Sequence, residues 1–426
     1  MNDPTKKAVE WWNDPQSQGP GTQWVQVPTV LDNINRRASG DPKIDWINHS
    51  ASFLNNRPKP IKALSVGCGF GIIERVLRHR NICEFIDGLD VADAAIEGAR
   101  EKAKADGLQG LTYQVTNLNT VSLPSETYDA VYAHAALHHV FQLEHLLDQI
   151  KKTLKPGGFF VVQEYIGPSQ MQFPQHHLEL ADIFLKSIPE RYRRMRRQGG
   201  GIKQEAPRLS LETMNSSDPS EGIRASEIVP LVASRFEIKH LRYLGGTLLL
   251  LIFNEIAGNF KADDAEIMPL INALITLDNF LVDNSVLPSY HVYMVSQKTD
   301  NPLPMQTSTV VSMAPPLFAT NGPQALLNKP AACISASPNP LVVDSRGFGQ
   351  TTLAWRSYAA SKVEIRVDAP DGNVFAASRP GSFSRPTGRW VRAGTTFYLQ
   401  NVSNGLPLTA ENTLAKVTLM AAANDK

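Results

Sequence analysis

The stretch that decides the fold is a short apolar run, Ile61-Lys62-Ala63-Leu64-Ser65-Val66, which ends in Gly67-Cys68-Gly69-Phe70-Gly71. The apolar run predicts a buried strand, and residues 72–79 follow with the spacing of a helix. Glycines at this turn permit tight backbone conformations and let a ligand approach the main chain closely. Because a helix N-terminus attracts electron-rich or anionic groups, the stretch predicts a strand, a glycine turn and a helix that bind a ligand together.

The spacing of the glycines restricts the class of ligand that this turn is expected to bind. A dinucleotide fingerprint, Gly-x-Gly-x-x-Gly, would need glycine at position 72, where Ile72 stands, so the observed pattern favours a ligand without a pyrophosphate. Asp90 follows Gly71 by nineteen residues, at the end of the next predicted strand. A carboxylate there can accept both hydroxyls of a ribose, which a plain strand–helix turn would not need.

Strands and helices alternate from this turn to residue 166. Strands are predicted over 61–66, 84–89, 111–115, 128–133 and 158–163, and helices over 72–79, 92–105 and 143–154. This alternation predicts an α/β fold, a Rossmann-like sheet that is parallel and doubly wound. Residues 167–225 break the rhythm and are interpreted as a helical cap insertion over the carboxyl edge of the sheet, whose pattern resumes up to residue 298.

The last part of the chain has a different character. Residues 299–331 are rich in proline and polar residues and are interpreted as a linker. Residues 332–426 show period-two alternation, as in 362–368, 396–402 and 414–419, and predict an all-β, immunoglobulin-like sandwich with Trp355 in its core. The predicted domains are thus an N-terminal segment covering the cofactor site (1–60), a catalytic domain (61–298), the linker and the sandwich.

Composition excludes several classes of protein. The 426 residues contain 42 Lys and Arg against 41 Asp and Glu, a net charge of +1, which argues against a nucleic-acid partner bound through a broadly basic surface. Three cysteines are too few for a disulfide framework. The N-terminus lacks the apolar run of a signal peptide, and the most apolar window, 247–253, is too short to span a bilayer. We therefore expect a cytoplasmic protein.

Several motifs match a known family. Residues 61–166 resemble the class I S-adenosylmethionine-dependent methyltransferases in the glycine motif, Asp90, Tyr128-Asp129-Ala130-Val131 and Leu154-Lys155-Pro156-Gly157-Gly158. The resemblance, to a bacterial subgroup, extends to about residue 298. It includes Glu164-Tyr165-Ile166-Gly167-Pro168, Asp218-Pro219-Ser220-Glu221, Gly245-Gly246-Thr247 and Ala257-Gly258-Asn259-Phe260. It implies S-adenosylmethionine as cofactor and S-adenosylhomocysteine as product.

The resemblance also implies which residues bind the cofactor. They are Gly67, Gly69, Gly71, Asp90, Val91, Asn117, Leu118 and His134. The glycines would line the methionine and ribose part, Asp90 would hold the ribose hydroxyls, and Val91 would lie against the adenine. Asn117 stands near the position of an aspartate that often faces the adenine amino group, and its amide oxygen could accept the amino hydrogen, although Asn117 lacks the charge of an aspartate. His134 would lie beside the reacting methyl.

Candidate catalytic residues follow the fourth and fifth strands. Methyl transfer from a sulfonium requires alignment of donor and acceptor, and a base if the acceptor loses a proton. His138, His139 and Glu164 lie where parallel strands end, and histidine suits proton transfer at neutral pH. The alternative is that these side chains cap a helix or pack structurally. No recognised zinc spacing is present, and no metal ligand is assigned, although a convergence of several histidines with Glu164 stays open.

Acceptor-binding candidates are Tyr165, Arg191 and Tyr192. Arg191 begins an arginine-dense run over 191–197, followed by glycines at 199–201. The run is typical of a solvated face, and the alternative is a lid that recognises an anionic acceptor. Trp11, Trp12 and Trp24 either anchor the N-terminal segment or cover the cofactor.

The sequence therefore predicts transfer of a methyl group to a small-molecule or sugar acceptor, with oxygen as the preferred acceptor atom. The alternatives are a nitrogen or sulfur acceptor, and a non-catalytic binding or scaffold protein that retains the fold. For the sandwich the sequence leaves open glycan binding, homodimer formation and docking to another enzyme of a pathway.

Overall fold

A computed structural model describes residues 22–196, 200–299, 332–337, 339–357, 362–378 and 381–420. The chain divides into two compact units, residues 1–315 and 316–426. Nearly all of the predicted linker lies outside the described residues, as do Trp11, Trp12, Arg197 and Gly199. The predicted domain boundaries stay a prediction.

The first unit alternates strands and helices. Its strands are β1 (Lys62–Val66), β2 (Phe85–Asp90), β3 (Leu111–Val115), β4 (Tyr128–His134), β5 (Leu154–Tyr165), β6 (Glu237–Gly245) and β7 (His291–Gln297). Its helices are α1 (Val30–Ser39), α2 (Trp46–Leu54), α3 (Ile72–His79), α4 (Asp93–Ala105), α5 (Leu143–Thr153), α6 (Gln175–Ser187), α7 (Leu211–Ser217), α8 (Ile228–Ala233), α9 (Thr247–Phe253) and α10 (Met268–Asp283). The alternation places every βα connection of the first half at one edge of a single sheet.

The sheet has the strand order β3-β2-β1-β4-β5-β7-β6. β1 pairs in parallel with β2 on one side and with β4 on the other, so the winding reverses between β1 and β4. In open α/β sheets ligands bind outside the carboxyl ends of the strands at such a reversal. The Rossmann-like, doubly wound arrangement predicted from the alternation is confirmed, and it points to the turn after β1.

One feature of the predicted sheet is wrong, because the sheet is mixed and not wholly parallel. β7 lies between β5 and β6 and runs antiparallel to both. The physical reason is burial: residues 292–296 of β7 are all buried, on both faces of the sheet. A strand covered on both faces is apolar throughout whichever way it runs, so its sequence pattern does not report direction.

The core of the first unit lies between the sheet and its helices. In α5, Leu143, Leu146, Leu147 and Ile150 are fully buried at the spacing of one helix face, and they pack with the apolar residues of β1, β4 and β5. α5 ends where the chain enters β5 through Leu154-Lys155-Pro156-Gly157-Gly158, and the pairing of β5 with β4 shifts register there. The packing of α5 thereby holds the loop between β4 and α5 at the carboxyl edge.

The described part of the N-terminal segment forms α1 and α2, which the sequence analysis did not predict. Asp45 caps α2 by accepting a hydrogen bond from the Asn48 amide at 2.8 Å. Arg37 of α1 donates to the Tyr243 carbonyl of β6 at 2.9 Å. Both helices are short, and their apolar residues are interrupted by Asn, Ser and Arg, so the contacts with the sheet carry more of their stability than the local pattern does.

The most apolar window of the chain is a core helix. All seven residues of α9 are buried. Among the residues that the structure describes, no helix combines the length and the hydrophobicity of a membrane-spanning segment. The cytoplasmic location stays a prediction.

The second unit is all-β in its described part. Its strands are β8 (Ala332–Ser337), β9 (Thr352–Ser357), β10 (Val363–Val367), β11 (Val374–Ser378), β12 (Gly381–Pro386), β13 (Thr396–Asn401) and β14 (Thr413–Thr418). They form two antiparallel sheets, ordered β11-β10-β13-β14 and β12-β9-β8. Trp355 is buried in one core with Ile365 and Phe397, which confirms its predicted place, while the immunoglobulin-like description stays a prediction.

Candidate active site

The glycine turn after β1 bends tightly and has one open side. Gly67, Gly69 and Gly71 all have positive φ, at 67°, 50° and 71°. A Cβ on Gly67 would lie 2.3 Å from the Cβ of Ala136, so the turn packs directly against the loop that follows β4. A Cβ on Gly69 would meet no atom of the described residues within 4 Å. The turn is therefore pressed against the protein at Gly67 and open to a ligand at Gly69.

Asp90 at the end of β2 is tied to this turn. Its Oδ2 accepts a hydrogen bond from the Gly69 amide at 2.8 Å, and its Oδ1 accepts one from the Ala92 amide at 3.0 Å. Burial raises the pKa of Asp90, and these amide bonds oppose the rise by stabilising the ionised form. Each carboxylate oxygen keeps an acceptor site for a further donor such as a hydroxyl.

The end of β3 supplies polar groups to the same edge. The Oδ1 of Asn117 accepts hydrogen bonds from both the amide and the side chain of Asn119, at 2.9 and 3.1 Å. Both lone pairs of that oxygen are thus engaged, which leaves the NH2 of Asn117 for a ligand. The neighbouring Thr116 Oγ1 is buried and has no hydrogen-bond partner in the described part of the chain. Thr116 is a candidate contact that the sequence analysis missed.

A second missed residue lies under the glycine turn. Glu74, in the first turn of α3, is completely buried, and this burial raises its pKa to about 7 although Ser65 acts to lower it. The Tyr113 hydroxyl is also buried, without a partner among the described residues, and a Cβ on Gly71 would lie 2.7 Å from it. The helical spacing of α3 is equally compatible with an exposed glutamate, so only the packing of β3 against the turn reveals this position.

These observations fit S-adenosylmethionine. The cradle at Gly69 would be filled by a Cβ, Asp90 offers acceptors for ribose hydroxyls, and Thr116 offers an orphaned hydroxyl at the edge where an adenine would lie. S-adenosylmethionine contains no pyrophosphate, which agrees with a turn that lacks the third glycine of a dinucleotide fingerprint. The residues present therefore suit the cofactor that the resemblance implies.

Across the turn lies a histidine pair held by a buried carboxylate. His138 and His139 end a short 3-10 turn, Leu137–His139, after β4. The Nδ1 of His138 lies 2.7 Å from Oε2 of Glu164, which is 1% exposed at the end of β5. The other oxygen of Glu164 accepts hydrogen bonds from the Ala136 and Leu137 amides at 2.5 and 2.6 Å. Burial alone would lower the pKa of His138, but the charge and hydrogen bond of Glu164 raise it to about 9.

His139 is surrounded by residues of the segment between β5 and β6. Its Nδ1 lies 3.0 Å from the Ser220 hydroxyl, which donates to the Asp218 Oδ1 at 2.6 Å. Glu221 faces both imidazoles: its Oε1 lies 3.6 Å from the His138 Nε2, and its Oε2 lies 3.8 Å from the His139 Nε2. Burial and the charge of His138 hold the pKa of His139 well below its usual range.

Two other predicted residues lie beside this cluster or the turn. The Tyr165 ring stands edge-on to the His138 imidazole at 6.0 Å, while its hydroxyl donates to the Pro168 carbonyl at 3.0 Å. His134, exposed at the end of β4, stacks on Trp46 of α2 at 5.5 Å. Trp24 is buried and packs against His291 at 4.9 Å, which supports the anchoring interpretation.

Arg191 and Tyr192 have other neighbours. Arg191 is exposed and forms an ion pair with Glu266, and Tyr192 donates to Asp264 at 2.6 Å and stacks on Phe260 at 5.7 Å. Within the described residues, neither makes a contact with the histidine pair. Their proposed role in binding an acceptor therefore has no support from local geometry.

Sequence reasoning missed three members of the histidine cluster. Asp218, Ser220 and Glu221 stand 79 or more residues after His139 along the chain. The signal that could have found them is the run Asp218-Pro219-Ser220-Glu221, which contributed to the family resemblance but had no role. Two carboxylates and a hydroxyl in four residues, in an insertion expected over the carboxyl edge, are suitable partners for histidine.

Comparison with known proteins agrees with this arrangement. Residues 64–162 match the family described as "Methyltransferase domain". The match covers about a quarter of the chain and indicates a methyltransferase domain in this segment. The predicted enzyme class and cofactor are thereby confirmed for this segment, which runs from β1 into β5 and contains the glycine turn, Asp90 and both histidines.

Two curated relatives show how far the similarity extends. A sterol 24-C-methyltransferase of Neurospora crassa is 38% identical over 113 residues, which are 25% of this chain and 28% of the relative. A demethylmenaquinone methyltransferase of Bacteroides fragilis is 24% identical over 201 residues, 44% of this chain and 77% of the relative. The chain thus spans less than a third of the length of the sterol enzyme.

A solved structure of a geranyl diphosphate C-methyltransferase from Streptomyces coelicolor also matches. It covers 70% of this chain and 99% of its own, with 13% identity and a TM-score of 0.40. At that similarity it gives no basis for choosing an acceptor.

Proposed function

We propose that this chain transfers a methyl group from S-adenosylmethionine to an oxygen of a small-molecule or sugar acceptor. The observation that supports the proposal best is the contact between the two halves of the site. Gly67 abuts Ala136, and the Ala136 amide is held by Glu164, which also holds His138. A methyl donor over the glycine turn would therefore lie next to the histidine cluster.

Residues of the turn and of three strand ends would hold the donor. Asp90 would accept the ribose hydroxyls with the lone pairs left by Gly69 and Ala92. Thr116 and the NH2 of Asn117 would face the adenine, with Val91 and Leu118 packing beside it. His134 would face the methionine end from β4. The donor supplies an activated methyl on a positively charged sulfur.

The histidine cluster would act on the acceptor. In the step proposed, the acceptor oxygen forms a bond to the methyl carbon as the carbon–sulfur bond breaks, and the bonding pair passes to sulfur. The hydroxyl proton would pass from the acceptor oxygen to the imidazole of His139, while His138 and Glu164 would orient the oxygen and assist that loss. The Tyr165 ring packs edge-on against the His138 imidazole.

A carbon acceptor is the second candidate. It is favoured by the name of the most identical relative reported above, a sterol 24-C-methyltransferase, although that similarity spans only 25% of this chain and 28% of the relative. Nitrogen and sulfur acceptors have no comparable observation. The second unit, as an immunoglobulin-like module, would bind a glycan or another protein, and the exposed Trp390 beside Phe375 is a suitable glycan platform.

Calorimetric titration with S-adenosylmethionine tests the proposal first. We expect one binding site per chain, and no detectable binding at millimolar ligand would overturn the enzyme function. Incubation of the protein and a labelled methyl donor with panels of sugars, phenols, hydroxy acids and sterols then identifies the acceptor. Product analysis by NMR distinguishes a methyl on oxygen from one on carbon.

A further inference from the structure

The histidine cluster has the arrangement of a metal site. His138, His139 and Glu221 each offer one ligand atom, and these atoms all lie within 4.8 Å of one another; among the described residues no other group of three His, Cys, Asp or Glu side chains does this. His138 is buried, while His139 and Glu221 are partly exposed. The group can therefore be reached from solvent and is anchored on its inner side.

Both imidazoles present the same nitrogen to Glu221, because their other nitrogen is held by the protein. The Nδ1 of His138 faces Glu164 at 2.7 Å, and the Nδ1 of His139 faces Ser220 at 3.0 Å. Histidine ligands of metals characteristically donate their second ring N–H to a carboxylate or another acceptor, which fixes the ring and its tautomer. Here both histidines have such a partner.

The distances between the Glu221 oxygens and the two imidazole Nε2 atoms suit a bound ion better than direct hydrogen bonds. The two distances from Glu221 oxygens to imidazole Nε2 atoms, 3.6 and 3.8 Å, exceed the length of an N–H···O bond. Two ligands bound about 2.1 Å from a tetrahedral ion lie about 3.4 Å apart. Movements of a few tenths of an ångström would therefore close the three residues around a cation.

Among the described residues, the carboxylates around this cluster also lack a lysine or arginine partner. Three carboxylates, those of Glu164, Asp218 and Glu221, lie within 4.0 Å of the two imidazoles, and in the described chain no lysine or arginine forms an ion pair with any of them. The Asp218 Oδ2 is buried, lies 3.8 Å from the His139 Nδ1 and has no hydrogen-bond partner among the described residues. A buried, unpartnered carboxylate oxygen beside the His139 imidazole is a second feature expected around a cation site.

We propose that His138, His139 and Glu221 bind one divalent transition-metal ion of the zinc type, with Glu164 and the Ser220–Asp218 pair as outer-shell partners. Two imidazoles and one carboxylate select ions such as Zn²⁺, Co²⁺ or Fe²⁺ over Mg²⁺, which prefers oxygen ligands. Three protein ligands leave coordination positions open, as in catalytic metal sites.

The ion deepens the proposed function, and only its role rests on that function. An ion at this place would lower the pKa of a hydroxyl that reaches it, so the acceptor proton would pass to solvent water without an imidazole as the final base. The histidines are then ligands, and Glu164 is a positioning residue that acts through His138.

Metal binding is tested on the full-length protein without an affinity tag, after removal of metals with a chelator. We expect calorimetry with Zn²⁺ to show one site per chain. Glu221→Gln should weaken binding by more than the roughly 10- to 100-fold loss expected for Glu164→Gln, which changes an outer-shell partner. His176→Gln is the matched control, because His176 and His177 are another adjacent histidine pair and lie outside the cluster, and it should bind Zn²⁺ as the natural sequence does.

The Zn²⁺ titration of the unsubstituted protein can overturn the proposal by itself, even if a variant fails to fold. Absence of a stoichiometric Zn²⁺ site would do so, and so would a site that His176→Gln abolishes and Glu221→Gln leaves intact. S-adenosylmethionine binding is measured on the same samples, so a failed metal site with intact cofactor binding leaves the proposed function standing. A metal site without cofactor binding would overturn the proposed function and keep the metal site.

Discussion

The two halves of the candidate active site are built differently. The glycine turn and Asp90 lie within 24 residues of each other, on two strands that pair directly. The histidine cluster contains residues from the turn after β4, the end of β5 and the insertion before β6. Its members extend from residue 138 to residue 221 of the chain. One half is a local supersecondary unit, and the other exists only when distant segments pack.

This difference separates two kinds of constraint. The glycine turn with Asp90, the proposed cofactor half, depends on backbone conformation: three glycines have positive φ, and one carboxylate accepts hydrogen bonds from two amides. The histidine cluster, the proposed acceptor half, depends on side-chain chemistry, because it contains two imidazoles among three carboxylates. Substitutions in the first should therefore change cofactor affinity, and substitutions in the second should change turnover.

The largest effect is expected in the acceptor half. His139→Ala should lower turnover by about 10²- to 10⁴-fold, because it removes a group that assists proton loss from the acceptor. Its dissociation constant for S-adenosylmethionine should stay within about twofold. His176→Ala is the control. Unchanged turnover in both His138→Ala and His139→Ala would remove the cluster from catalysis.

Glu74→Gln tests whether the buried Glu74 beneath the glycine turn lowers the stability of the protein at high pH. The pKa of Glu74 rises from 4.5 to about 7 on burial, so the folded state binds more protons than the unfolded state between these values. Stability linked to Glu74 is therefore lost as pH rises from 4.5 through 7. At pH 8 the glutamine variant should be more stable than the natural sequence by about 3 kcal/mol, with a much smaller difference at pH 4.5. Denaturant unfolding at both pH values measures this, and equal differences would contradict it.

Asp90→Ala should weaken S-adenosylmethionine binding by about 10- to 100-fold, since hydrogen bonds to a charged group are lost. Calorimetry measures the change, and circular dichroism checks the fold. The exposed Glu97→Gln, on α4 close by, should bind the cofactor normally. Equal affinity of both variants would place the ribose elsewhere.

Gly69→Ala should raise the cofactor dissociation constant by about tenfold, because its methyl would occupy the open side of the turn. Gly107→Ala is the matched control: Gly107 also has positive φ, 65°, and an added Cβ there would meet nothing within 4 Å. Both variants should lose about 1 kcal/mol of stability from the left-handed backbone. If both lost affinity alike, the effect would be backbone strain and not the cradle.

The smallest effect is expected at Arg191. Because Arg191 forms an exposed ion pair with Glu266, away from the described contacts of the cluster, Arg191→Ala should leave the stability of the protein nearly unchanged. The Michaelis constant for the acceptor should change by less than about twofold. A larger increase would restore Arg191 as an acceptor-binding residue.

Most of the cofactor half could be predicted from the sequence. α3 begins and ends where the helical spacing places it, at Ile72 and His79, and β3 occupies the predicted residues 111–115. Asp90 ends β2 as expected. These features follow from local rules: apolar strands, glycines that permit positive φ, and helical periodicity, each readable within a few residues.

The remainder could not be read from local patterns. The direction of β7 leaves no trace in a strand buried on both faces, and the burial of Glu74 depends on β3 and the glycine turn packing over it. α1 and α2 depend on contacts with β4 and β6, such as that of Ser50 with Tyr132. Each is an interaction between segments that are distant in sequence.

For this protein, the sequence by itself determined the α/β alternation, the glycine turn, Asp90 and the positions of His138 and His139. Only the tertiary structure decided that Asp218, Ser220 and Glu221 would meet those histidines, because they stand about eighty residues later in the chain and the insertion that carries them must first pack at the sheet edge. Backbone conformation is encoded locally, whereas a polar cluster is assembled by packing, which no short window of sequence contains.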